Sequence, residues 1–136
     1  MAGSPPAPLT RRIVGLALLF VASGTTHLVR PQVFEPIVPR ALPRRRELVY
    51  VSGVAEVVCA AGLLAPATRS MAGWGSAALL VGVFPANVQM TVAAAKRWRR
   101  RPEDAKRVAM LAGTAARLPL QWPLVRVALS ATERDV

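Results

Sequence analysis

Residues 71–95 form a run of twenty-five without a single Asp, Glu, Lys or Arg. At the helical rise of about 1.5 Å per residue this run is roughly 37 Å long, more than the ~30 Å hydrocarbon core of a bilayer, so it spans with some tilt. Closed membrane barrels alternate apolar and polar residues, and continuous apolarity of this kind argues against them. Three other stretches share the character. Residues 13–29 are free of formal charge, 48–65 are interrupted only by Glu56, and 108–129 contain Arg117 and Arg126. A soluble four-helix protein would need a broad charged face on each helix, and the first three runs have none. The expectation is an all-α, single-domain chain over residues 1–136. It is an antiparallel bundle of four transmembrane helices at about 13–29, 48–65, 71–95 and 108–129, with a proline-rich interfacial loop between helices 1 and 2. Residues 1–10, MAGSPPAPLT, are expected to be disordered or to lie at the interface.

The chain is 53% hydrophobic yet carries a formal net charge of +11, so its charge is segregated from its apolar runs. Short basic loops between apolar spans are the topogenic signal of an inner-membrane protein, and nucleic-acid binding is set aside on that ground. Arg30, Arg40, Arg44, Arg45, Arg46, Lys96, Arg97, Arg99, Arg100, Arg101, Lys106 and Arg107 fall on one side, against Arg11, Arg12, Arg69 and Arg134 on the other. That asymmetry puts the basic loops in the cytoplasm and both termini outside. Trp98, within KRWRRR, reads as an interfacial anchor, and its arginines would attract anionic lipid headgroups. Arg11 and Arg12 ahead of IVGLALLFVASG have the look of a secretory signal, but the apolar run continues past the small residues and three more follow.

Ionisable groups inside spans are costly, on the order of 2.5 to 3.5 kcal/mol each, so Glu56 and Arg117 need a reason. Counted from the basic-loop side, Glu56 lies at roughly 14 Å, Arg117 at roughly 15 Å and Asn87 at roughly 12 Å depth, which predicts one polar layer in which Glu56 and Arg117 pair. Polar stripes at helical spacing reinforce this: Ser23 and His27; Ser52, Glu56 and Cys59; Asn87 and Thr91; Thr114, Arg117 and Gln121. They read either as interhelical glue or as the lining of a ligand pocket. Ala78, Gly82 and Ala86 would let a neighbouring helix approach, and Pro85, Pro119 and Pro123 free backbone carbonyls in spans three and four. The chain has one His and one Cys, so bis-histidine haem ligation, an iron–sulfur or zinc set and an internal disulfide are all excluded, and no metal site is expected. No nucleophile, phosphate-loop or metalloprotease motif is present, and this chain alone shows no catalytic machinery.

Gly24-Thr-Thr-His27, Pro31, Phe34, Ile37-Val-Pro39, Leu42-Pro43, Tyr50-Val-Ser-Gly53, Glu56, Phe84-Pro-Ala-Asn87 and Arg117-Leu-Pro-Leu-Gln121, in this order and spacing, resemble the DoxX-like family of small four-helix membrane proteins. The resemblance covers about residues 12–128. It implies a multi-pass protein of the bacterial inner membrane, with relatives in quinone-reducing membrane redox complexes and an animal relative that is a receptor-assembly chaperone. It also implies that His27, Glu56, Asn87, Arg117 and Gln121 are the positions of interest, and the paired cysteines of redox-active branches are missing. Three functions follow as expectations. One is an accessory subunit of a redox complex, with a quinone or lipid headgroup site and a membrane or cytoplasmic redox partner. The others are a scaffold or assembly factor without catalysis, and a small-solute or proton pathway.

Residues 31–46, PQVFEPIVPRALPRRR, connect the first two spans. Their four prolines forbid a long helix, while Phe34, Ile37, Val38 and Leu42 are too apolar for a solvated linker. The segment is expected to fold over the basic-loop mouth near His27 as a lid, with Phe34, Ile37, Pro39 and Pro43 against the bundle. The alternative is a loosely wound loop at the headgroups.

Overall fold

The computed structural model describes residues 5–133 and is helical, with no strand among them. Four α-helices follow in order: α1 (Arg11–Val29), α2 (Arg45–Leu64), α3 (Arg69–Arg100) and α4 (Ala105–Ser130), with two 3-10 turns, Pro31–Val33 and Glu35–Ile37, between α1 and α2. Thr10 caps α1 by accepting a hydrogen bond from the Ile13 amide at 3.2 Å, and Asp104 caps α4 through the Lys106 amide at 2.9 Å. Helix α3 continues through the basic residues 96–100, which were expected in the loop. Lys and Arg are strong helix formers and favour the negative end of the helix dipole, so Pro102 and not the charge ends the helix. Arg44, with φ 55° and ψ 50°, turns the chain from Pro43 into α2.

Contact pairs fix the directions. Gly24 faces Gly53 while Ser23 meets Glu56; Gly62 faces Ala72 while Gly75 faces Cys59; Gly73 faces Ala128 while Arg117 meets Met90. In each pair the residue numbers run oppositely, so α1/α2, α2/α3 and α3/α4 are antiparallel, and α1 also touches α4 to complete a ring. Helices α1, α2 and α3 are long and apolar enough to cross a membrane. Helix α4, expected as a fourth span, is not among them, because Arg117, Gln121 and Arg126 interrupt its apolar stretch where the spans of the other three run uninterrupted or nearly so.

The apolar core is concentrated at the end that holds the α2–α3 connection. Ile13, Leu16, Ala17 and Phe20 of α1 pack with Ala60 and Leu63, with Ala77 and Leu80, and with Val125 and Ala128. Toward the basic end the packing thins. Of residues 81–100 only Ala94 is buried, and of residues 105–120 only Thr114.

Arg69 locks the closed end. Its guanidinium, on a residue only 4% exposed, donates from Nε to the Leu63 carbonyl at 2.8 Å, from Nη2 to Leu64 at 3.1 Å and from Nη1 to Ala7 at 2.5 Å. Two of these acceptors are orphan carbonyls at the C-terminus of α2, where a cation also complements the helix dipole. The third ties down Ala7, which is buried; of the residues 1–10 expected to be disordered or to lie at the interface, 1–4 lie outside the described residues.

Candidate functional site

Helices α1 and α2 carry the same short pattern, a glycine followed three residues later by an ionisable group: Gly24 with His27, and Gly53 with Glu56. Three residues is just under one helical turn, so each glycine lies on the face of its ionisable partner. The glycines make the contact between the helices. A Cβ on Gly24 would sit 2.7 Å from the Gly53 carbonyl oxygen, and one on Gly53 would sit 2.8 Å from His27 Cβ. With no side chain in the way, the backbones close and bring His27 Nδ1 to 3.0 Å from Glu56 Oε2.

The pair is held from several sides. Ser23 Oγ donates to Glu56 Oε1 at 3.2 Å, and His27 Nδ1 also lies 2.8 Å from the Ser23 carbonyl oxygen. A carbonyl oxygen only accepts, so Nδ1 carries a proton shared between that carbonyl and the carboxylate. Nε2 then points away from Glu56 and makes no hydrogen bond among the described residues. The Glu56 side chain is 9% exposed and that of His27 14%, so the pair is nearly shut off while remaining beside the open end.

The proline-rich segment covers the imidazole. Phe34, between the two 3-10 turns, places its ring centroid 4.0 Å from that of His27 at an interplanar angle of 30°. Pro31 is buried, the first turn packs on α1 and α2, and the second packs on α2 and α3, so the segment bridges the basic end. Phe34, Ile37, Val38 and Pro39 are half-buried, whereas Leu42 and Pro43 are exposed. Glu35 ties the segment to α2 through Arg46 Nε at 2.5 Å; this hydrogen bond, and secondarily the carboxylate's charge, raise the Arg46 guanidinium above its ordinary value.

The remaining expected site residues form a second cluster. Asn87 Nδ2 donates to Gln121 Oε1 at 3.3 Å, and Gln121 Nε2 donates to the Leu80 carbonyl one turn before Pro85. No hydrogen bond among the described residues joins this α3–α4 cluster to His27 and Glu56. Arg117 belongs to neither. It is exposed, and its guanidinium reaches only Met90 Sδ at 3.9 Å. The expected Glu56–Arg117 pair is therefore replaced by Glu56–His27, while Arg117 is exposed on α4 and lies beside Met90.

Cys59 lines an apolar cavity of about 300 Å³ between α2 and α3, with Gly62, Ala72 and Gly75 among its walls. No group of three or more His, Cys, Asp or Glu among the described residues is placed to hold a metal ion. The role of Arg69 was missed in the sequence; its signal is an arginine just beyond the helix-ending stretch Leu64-Ala-Pro-Ala-Thr. No curated protein and no solved structure matches the chain. Residues 16–132 match the family model of DUF8561, a domain of unknown function, and since these residues make up most of the chain, the protein belongs to that family.

Proposed function

We propose that this chain is a bacterial inner-membrane protein whose four helices all cross the bilayer. It would serve as an accessory subunit of a membrane redox complex by receiving a quinone headgroup, or a similarly polar lipid head, at His27 and Glu56. The observation that carries the reading is the imidazole under Phe34, anchored through Nδ1 and with no hydrogen bond to Nε2 among the described residues. Packing alone does not call for a carboxylate, a serine hydroxyl and an imidazole fixed together at the mouth of the helices. The resemblance to DoxX-like proteins belongs to this reading and rests on the residues quoted for it.

Helix α4 is carried across with α3, against which it packs from Ala128 beside Gly73 to Arg107, whose Nη1 donates to the Arg97 carbonyl at 2.6 Å. The arginines at that end would lie at anionic headgroups on the cytoplasmic side. Redox chemistry would be the quinone's, with electrons from a partner protein. The protein's own part would be to bind: Ser23 and Glu56 hold the imidazole through Nδ1, and Nε2 would meet a polar group of the incoming head. A planar ring would take the place of Phe34 on the imidazole face, which makes Phe34 the moving part of the lid.

A continuous solute or proton pathway has less support, because the polar groups separate into two clusters. Mass spectrometry of lipids retained by the gently purified protein tests the proposal. Wild type is expected to retain an isoprenoid quinone well above a detergent control, and His27→Phe about tenfold less. Equal amounts in wild type and control would end the quinone reading.

A further inference from the structure

Arg117 is a permanently charged group with five N–H donors, and its one hydrogen-bond partner among the described residues is a thioether sulfur at 3.9 Å. If α4 crosses the membrane, as proposed above and as this inference requires, that charge lies in hydrocarbon. Met90, which it touches, is eight residues below Trp98 on α3, roughly 12 Å beneath the level of the interfacial anchor. A lipid phosphate at that interface is farther off than the Met90 sulfur that the guanidinium reaches in this structure.

The chain cannot supply the counter-charge from a second copy. Its seven acidic residues are Glu35, Glu47, Glu56, Glu103, Asp104, Glu133 and Asp135. All but Glu56 lie in the connections, in the first turn of α2 or beyond α4, and Glu56 is buried against His27 and Ser23. The face around Arg117 is open as well. One turn away, a Cβ on Gly113 would meet no atom within 4 Å, and Ala116 and Leu120 are exposed. Among the described residues, only Met90 is placed against Arg117 on this face.

We propose that this face of α4 docks a transmembrane helix of a different protein, and that the partner helix carries an Asp or Glu at the depth of Arg117. In hydrocarbon a guanidinium and a carboxylate form a paired, bidentate contact, and each resolves the other's desolvation. Gly113, on the same face as Arg117, lets the partner backbone come close. The surface is separate from the His27–Glu56 site, so a complex formed through it leaves the headgroup site accessible.

The test uses the full chain in its native membrane, with a photo-cross-linking amino acid at Ala116 and sequencing of the adducts. The expected result is an adduct to a transmembrane segment of another protein that contains Asp or Glu. Its yield should fall about tenfold in Arg117→Gln, persist in Arg117→Lys, and return when Arg117→Glu is combined with a Lys at the partner's acidic position. Adducts only to lipid, only to a second copy, or insensitive to Arg117 overturn the proposal while leaving the quinone measurement untouched. A parallel Ala116→Cys variant in a Cys59→Ala background checks the premise. If a membrane-impermeant maleimide labels it in sealed vesicles, α4 lies in water, and both the four-span reading and this docking site fall.

Discussion

Gly24 and Gly53 touch backbone to backbone, and that contact sets the 3.0 Å separation of His27 and Glu56 one turn away. Each glycine is required by its neighbour on the facing helix, since an added Cβ would come within 3 Å of backbone or Cβ atoms that cannot swing aside. Gly24→Ala and Gly53→Ala should therefore each destabilise the protein by about 1–3 kcal/mol, the usual cost of overpacking. Gly82→Ala and Gly113→Ala meet open space and should be neutral or stabilising by up to about 1 kcal/mol through helix propensity. Unfolding titrations in mixed detergent micelles compare the four, and an equal loss in both sets would show that the contact is not specific.

The His27–Glu56 pair can be assigned by energy as well as by distance. A double-mutant cycle with His27→Phe and Glu56→Gln should give a coupling of about 0.6–1.7 kcal/mol, the range found for interhelical hydrogen bonds in membranes. The same cycle between Glu56→Gln and Arg117→Met should give a value indistinguishable from zero, because the two residues share no partner. Significant coupling between Glu56 and Arg117 would contradict the side-chain arrangement described here.

Arg69 replaces a helix cap with a single side chain. Arg69→Ala leaves the Leu63 and Ala7 carbonyls without their donor in a buried setting and should cost about 2–4 kcal/mol. Arg69→Lys should recover only part of this, since one ammonium does not reproduce the planar fork that reaches three carbonyls. Limited proteolysis gives a separate readout: residues 5–10, tethered through Ala7, should become cleavable in Arg69→Ala before the helices unfold.

Phe34 can be tested through the chemistry of the residue it covers. His27 is the only histidine, so its reaction with diethyl pyrocarbonate is an unambiguous signal. The wild-type rate should be low, because the imidazole is largely enclosed and stacked, and Phe34→Ala should raise it several-fold. Pro43→Ala, at an exposed position of the same segment, should leave the rate unchanged. Equal rates in wild type and Phe34→Ala would mean that the segment is no lid.

The helices themselves were legible because they depend on local composition. Uninterrupted apolar runs and the prolines at 31, 36, 39 and 43 act within a few residues of where they stand, so α1 to α3 fall close to their expected places. The ends of α3 were less legible, since charge in residues 96–100 reads as a loop whereas its backbone preference is helical. Depth was less legible: counting at about 1.5 Å per residue put Glu56 and Arg117 at one level, whereas Cys59 sits beside Gly75 and Arg117 beside Met90, at different heights along α3. Height along an axis is also only one coordinate. Each residue turns the helix by about 100°, and the direction in which a side chain points depends on which face its helix presents to a neighbour. The sequence by itself determined which apolar segments are helical, where the polar groups lie along them, and that the four prolines of the 31–46 segment forbid a long helix there. Only the tertiary structure decided that Gly24 seats on Gly53. That contact sets the rotation of α1 against α2, turns Glu56 toward His27 and away from Arg117, and leaves Arg117 facing outward.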